Sequence, residues 1–142
     1  MEQTLILIKP DGVKKHLVGE ILKRFESNGL DIRAIKLVRI NRSQAEGFYQ
    51  VHKDQPFFEE LVQFMTSGPI IACVLEGERA ITRVRQIMGG TDPKKAEKGT
   101  IRNEFADSIR YNIIHGSDSK ASADYEIPNF FNRLEIIGIQ AG

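Results

Sequence analysis

A single cysteine in 142 residues excludes any disulfide framework within the chain. That residue, Cys73, lies inside the apolar run "PIIACVLEG" and reads as a buried, inert thiol of a reducing compartment. Long hydrophobic runs are missing too: none approaches the ~18 residues of a membrane span. The N-terminus carries no basic region and no cleavage-type segment, so the expectation is a soluble, cytoplasmic protein with no membrane partner. Charge of neither sign is in excess, with 20 Lys and Arg against 19 Asp and Glu. A net charge of +1 excludes a molecule built as a whole to bind polyanions, so any phosphate contact must come from a local patch. Repeats and low-complexity linkers are absent, which leaves one domain over residues 1–142. With 41% hydrophobic and 27% charged residues, that domain can bury a core and is not disordered.

The familiar nucleotide and hydrolase motifs are absent as well. The sequence has no G-x-x-x-x-G-K-[ST], no G-x-G-x-x-G and no G-x-S-x-G, which removes the P-loop, the dinucleotide turn and the nucleophile elbow. No Cys or His spacing suggests zinc, and no protein metal site is expected.

What is present is a regular alternation of elements. "TLILI" (Thr4 to Ile8) is a continuous apolar run, the pattern of a strand buried on both faces, and Lys9-Pro10-Asp11-Gly12 ends it with turn chemistry. Val18, Ile21, Leu22 and Phe25 follow at helical spacing, stopped by Asn28-Gly29. "LDIRAIKLVRI" alternates as a strand, with a phase slip near Ala34-Ile35 that predicts a bulge. Ser43 to Glu46 match a capping box for a short helix, and Pro56 suits the first turn of another carrying Phe57, Leu61 and Phe64. A buried strand from Ile70 to Leu75 and a helix from Ala80 to Met88 come next. Periodicity then fades into a long polar loop, Thr91 to Arg110. Ile113-Ile114 restores strand character, Ser122 is placed to cap a helix, and "LEIIGI" (Leu134 to Ile139) predicts a closing strand. The order predicts a ferredoxin-like α+β fold: a βαββαβ antiparallel sheet with helices on its faces, an extra helix pair and one long inserted loop.

Chemistry concentrates in "NIIHGSDS", Asn112 to Ser119. A neutral imidazole at His115 is a nucleophile through one nitrogen if an acceptor holds the other. Asp118 and Glu126 are the local acceptors; Glu126, on the predicted helix, can point back while Asp118 serves the turn. Gly116 lets backbone approach closely, and Ser117 can orient a carboxylate or protonate a leaving group. The same residues describe equally a histidine at an Asx- and Ser-capped turn. Lys9, Arg85 and Arg102, with Thr91 and Asn112 as neutral donors, supply the donor set that phosphoryl transfer requires. Phe57 and Leu61 suit an apolar slot for a planar base, or simply the core of their helix.

Together these segments resemble the nucleoside diphosphate kinase family from end to end. The likeness runs through "TLILIKPDGV", "FFEELVQFMTSGPI", "GTDPKKAEKGTIR" and "NIIHGSDSKASADYEI". The last is similar to the family signature N-x-x-H-G-S-D-S-x-x-S-A-x-x-E-I at every fixed position. The resemblance implies reversible, ping-pong transfer of the terminal phosphate from a nucleoside triphosphate to a nucleoside diphosphate, maintaining NTP and dNTP pools. By the same resemblance His115 is the residue transiently phosphorylated, Glu126 the carboxylate that orients it and Ser117 the hydroxyl partner. Lys9, Tyr49, Arg85, Thr91, Arg102 and Asn112 surround the phosphates, sugar and histidine, and Phe57 stacks on the base. Mg²⁺ arrives with the nucleotide, and the chain forms a homo-oligomer, a tetramer or hexamer. No specific nucleic-acid partner is implied; an RRM-type binder wants exposed aromatics on its central strands, and "TLILI" and "IIACVL" have none.

Departures from the family pattern are Lys98, where proline is common, Asn103-Glu104, in place of Gly-Asp, and Pro128. Two residues past Glu126, Pro128 either bends or ends the predicted helix, at ~3 kcal/mol if interior, or starts a new turn.

Overall fold

The computed structural model describes residues 1–138. Its organising element is β1 (Glu2–Ile8), whose apolar run is buried on both faces. Alternation sends Leu5 and Leu7 to one core and Ile6 and Ile8 to another. Next come α1 (Pro10–Lys14), α2 (Val18–Glu26), β2 (Asp31–Val38), α3 (Arg42–Phe48), α4 (Phe58–Met65) and β3 (Ile70–Gly77). The chain continues through α5 (Ala80–Met88), α6 (Ile101–Phe105), β4 (Ile114–Gly116) and α7 (Lys120–Glu126). β1 pairs antiparallel with β3 on one side and β4 on the other, giving the order β2-β3-β1-β4. This is the ferredoxin-like arrangement that the sequence predicts.

The two crossover helices, α2 and α5, cover one face through Ile21, Phe25, Val84 and Met88. The inserted pair α3 and α4, together with α7, covers the other through Phe48, Val62, Met65 and Ala123. The expected bulge is present in β2, where register slips between Ile32 and Ala34.

Several boundaries differ from the sequence reading, each for a local reason. Residues Leu134 to Gly138 form no strand; Asn132 accepts from the Leu134 and Glu135 N–H groups and caps a 3-10 turn, Arg133–Glu135. That cap uses the backbone donors a strand would need, and among the described residues of the segment only the Ile137 N–H reaches the sheet, at Arg33 C=O (2.9 Å). Ile139, the last residue of the expected strand, lies outside the described residues. The loop from Thr91 to Arg110 contains α6, capped by Thr100, which is too short to show a period. The α3 capping box is Asn41 with Gln44, two residues ahead of the expected one. Ser119 rather than Ser122 caps α7. Pro56 lies in the turn before α4, outside its first turn. Lys9 to Gly12, expected as a turn, begins α1 with proline at the first helical position.

Thr4 is fully buried, yet its hydroxyl has no hydrogen-bond partner among the described residues. An unpaired buried hydroxyl costs about 1–3 kcal/mol. Thr4→Val, nearly isosteric, is expected to raise stability by about 1 kcal/mol and the melting temperature by about 3 °C in a thermal scan. An unchanged or lower midpoint would contradict the burial argument.

Candidate functional site

The site forms where the end of β1 lies beside the start of β4. β4 is held against β1 with His115 opposite Leu7. The imidazole lies edge-on to Phe48 (ring centres 5.2 Å apart) and Tyr49 (6.3 Å), both from the end of α3. Its Nε2 meets Glu126 Oε1 at 2.8 Å. The same carboxylate oxygen accepts from Ser117 Oγ at 2.8 Å. An ionised carboxylate only accepts, so this contact assigns the imidazole proton to Nε2 and leaves the Nδ1 lone pair free. Burial lowers the His115 pKa below the ordinary imidazole range; Glu126 opposes the shift, and the Lys9 and Arg102 charges add to it. A neutral, oriented imidazole is the nucleophilic form.

Glu126 is the last residue of α7. Pro128 does not bend that helix. It lies at the second position of the 3-10 turn Ile127–Asn129, where its missing N–H costs nothing. The Phe130 and Phe131 N–H groups close on Ile127 C=O, and buried Ile127 and Phe131 fasten the segment to the core. Asp118, the other acceptor considered, instead accepts from Ser122 Oγ and serves the turn.

Cations gather around the histidine. Lys9 is buried at the end of β1 and donates to Asn112 Oδ1 at 2.9 Å. Burial lowers its pKa to about 8, with Arg102 contributing and Asp11 opposing. The Arg102 guanidinium donates to three backbone carbonyls: Ile114 (2.6 Å), Gly89 (3.2 Å) and Asn112 (3.3 Å). Burial, with the neighbouring Arg85 charge contributing, lowers its pKa to about 10. Arg85 itself donates to Gly116 C=O at 3.0 Å. Buried cations with no carboxylate in ion-pair contact among the described residues create a field that favours an anion.

Two lobes of a cleft meet at the imidazole. One, of about 510 Å³, is bounded by Phe48, Arg85, Asp118, Tyr125 and Glu126. The other, of about 370 Å³, is bounded by Lys9, Phe57, Leu61, Phe64 and Asn112. Tyr49, His52, Thr91, Arg102 and His115 border both. The structure thus gathers the sequence-predicted residues into one cleft, with Ser117 directly behind Glu126 and fully buried. Tyr49 holds a buried hydroxyl that has no partner among the described residues; burial raises its pKa, as does the Glu126 charge.

Comparison with known proteins agrees with this geometry. A profile described as nucleoside diphosphate kinase matches residues 2–136. The chain belongs to the nucleoside diphosphate kinase family. The nucleoside diphosphate kinase of Wolinella succinogenes is 58% identical over 136 residues, covering 96% of this chain and 99% of that one. That of Desulforapulum autotrophicum is 53% identical over 138 residues, 97% of this chain and all of that one. Among solved structures, the Aquifex aeolicus nucleoside diphosphate kinase superposes with a TM-score of 0.94 at 50% identity, covering 96% of this chain and 99% of that one. The Halobacterium salinarum nucleoside diphosphate kinase in complex with CDP gives 0.95 at 42% identity, covering 99% and 93%.

The cleft also holds residues that sequence reasoning missed: His52, Ile109, Arg110 and Tyr111. The His52 ring packs on Phe57 at 5.5 Å, and the Arg110 guanidinium lies 4.9 Å from the centre of the same Phe57 ring. Tyr111 meets Phe64 edge-on at 5.0 Å. The available signal was an isoleucine and a tyrosine beside Asn112 in an otherwise polar loop.

An imidazole depressed by burial is neutral in the fold, so its contribution to stability is present above the unfolded value and lost as pH falls through the folded one. In an NMR titration His115 is expected to protonate below the ordinary ~6.5. Glu126→Gln is expected to move that midpoint lower still, because a raising charge is removed. A midpoint above the ordinary value would contradict the assignment.

Proposed function

We propose that His115 is the residue that carries the phosphate in this enzyme. Nucleoside diphosphate kinases transfer the terminal phosphate of a nucleoside triphosphate to a nucleoside diphosphate through a phosphohistidine. The observation that carries the assignment is the Glu126 contact at Nε2, which leaves Nδ1 as the free nucleophile. Nδ1 attacks the γ-phosphorus, the bond to the β-phosphate oxygen breaks, and the nucleoside diphosphate leaves. As the N–P bond forms the ring becomes cationic, and Glu126, held by Ser117, stabilises that charge. The second half runs in reverse: a terminal oxygen of an incoming diphosphate attacks phosphorus, and Nδ1 regains its lone pair.

Lys9, Arg85 and Arg102 offset the phosphate charge, while Thr91, Asn112 and the Tyr49 hydroxyl serve as neutral donors in this reading. Phe57 and Leu61 form the slot for the base, which stacks rather than being read at its edge. Among the described residues no group of three or more His, Cys, Asp or Glu side chains is placed to hold a metal ion. The cleft's cations and the oxygen preference of Mg²⁺ instead fit an ion carried in on the nucleotide phosphates, where it neutralises charge.

Residues 1–142 act as one domain in this reading, supported by the single sheet that carries both helical layers. Self-association, as a tetramer or hexamer, is supported by the edge strand β2, which exposes Ile35 and Leu37. No helix among the described residues is long and apolar enough to cross a membrane. A cytoplasmic location is supported by the Cys73 thiol, buried and with its pKa pushed up to about 12.

Incubation with Mg²⁺ and γ-labelled ATP, without acceptor, is expected to give stoichiometric label that is acid-labile, alkali-stable and discharged by added diphosphate. His115→Ala is expected to take no label and lose at least about 10³-fold in turnover. Acid-stable label, or label on His115→Ala, would sink the assignment. Phe57→Ala is expected to raise KM for all nucleotides together with little change in turnover; a sharp change in base preference would contradict stacking.

A further inference from the structure

Two residues before His115 the backbone adopts a conformation that isoleucine rarely takes. Ile113 has φ 76°, in the left-handed region that is most unfavourable for a β-branched side chain. The Ile114 N–H closes onto Asn112 C=O at 2.8 Å, a three-residue γ-turn. This turn sets Asn112 against Lys9 and starts β4 in the register that puts His115 opposite Leu7. A strained turn persists only where its surroundings hold it.

The holding groups come from the other end of the chain. The Lys9 N–H donates to Ile113 C=O at 2.8 Å. The Ile113 N–H donates to Asp11 Oδ2 at 3.1 Å, and the other oxygen, Oδ1, accepts from the Gly12 N–H at 3.0 Å. Gly12 packs directly on the turn, where an added Cβ would lie 2.8 Å from Ile8 Cγ2 and 3.2 Å from Ile113 Cγ2. Both Asp11 oxygens therefore accept from N–H groups. An amide has one acceptor and one donor, so it satisfies one of these contacts and sets donor against donor at the other. Asp11 borders neither lobe of the cleft; it faces an outer groove with Lys14, Lys15 and Asp107.

We propose that Asp11 is a positioning residue for phosphoryl transfer: its carboxylate holds the Ile113 turn, and through it Asn112 and His115. The inference rests on the reading of His115 as the phosphorylated residue. Around Lys9 stand Arg102 from α6, His115 from β4, Asp11 from α1 and, across the cleft, Glu60 of α4 and Arg110. Burial and Arg102 lower the Lys9 pKa, and Asp11 raises it. Removing the Asp11 charge therefore lets Lys9 lose its proton at lower pH, and the alkaline limb of activity moves down.

The test compares full-length wild type, Asp11→Asn and Asp11→Glu. It measures phosphohistidine formation from γ-labelled ATP by rapid quench and steady-state turnover across pH ~6 to ~9.5, with rates expressed per labelled site so that unfolded chain drops out. Asp11→Asn is expected to lower kcat by about 10- to 100-fold with KM within about threefold, because the base slot is untouched. Its alkaline limb is expected to fall by about half a pH unit or more. Asp11→Glu keeps the charge and loses the two-oxygen geometry, so slow turnover with a wild-type alkaline limb is expected; this variant carries the test if the asparagine form does not fold. Wild-type kcat per labelled site in either variant would overturn the proposal. So would a lowered kcat in Asp11→Asn with an unmoved alkaline limb. A wild-type enzyme that takes no acid-labile label would instead overturn the His115 assignment.

Discussion

A carboxylate 2.8 Å from one imidazole nitrogen decides what the other nitrogen can do, and the rest of the site is arranged to keep that contact. Glu126 comes from α7 and His115 from β4, so two elements must meet within hydrogen-bond tolerance. The ring is held edge-on by Phe48 and Tyr49, and the carboxylate by Ser117. The helix carrying Glu126 stops at that residue, and the following 3-10 turn sinks Ile127 and Phe131 into the core. Packing thus supplies the rigidity, and the hydrogen bond turns rigidity into chemistry by fixing the tautomer.

The cations around the histidine pull against the fold. Lys9 and Arg102 both have pKa values lowered by burial, and each also lies in the field of another cation. Arg102 is tolerated because its guanidinium satisfies three carbonyls, including two that flank the Ile113 turn. Lys9 is tolerated because it donates to Asn112 and lies in the field of the Asp11 carboxylate. Such an arrangement is most stable when a phosphate supplies the missing negative charge, so bound ligand and folded state reinforce each other.

Much of this was legible in the sequence, because the decisive signals are local. The runs Thr4 to Ile8 and Ile70 to Leu75 are apolar at every or nearly every position, as strands covered on both faces must be. The phase slip in β2 and the helices α2 and α5 follow from residue spacing alone. What failed was short or competitive. α6 has five residues, fewer than two turns, so no period can appear. "LEIIGI" has the composition of a strand, but Asn132 diverts its first donors into a cap. Asn41 outcompeted Ser43 as a cap, a choice of phase that composition does not settle. For the site, Lys9 and the residues of and around the histidine motif stood out by type and place. Ile109, Arg110 and Tyr111 did not, because their role depends on a loop folding across α4, and no spacing announces that.

The slot itself explains what kind of catalyst results. If Phe57 and Leu61 receive the base as proposed, the surfaces there are rings and hydrocarbon edged by the Arg110 guanidinium, which distinguish a flat molecule from water better than one base from another. The bond broken in the donor is the same kind as the bond made in the acceptor, so the exchange runs close to thermoneutral. An enzyme working on a balanced reaction sets no direction of its own. Flow follows whichever pool is momentarily richer in triphosphate, and the enzyme levels the phosphorylation state of all of them toward a common ratio.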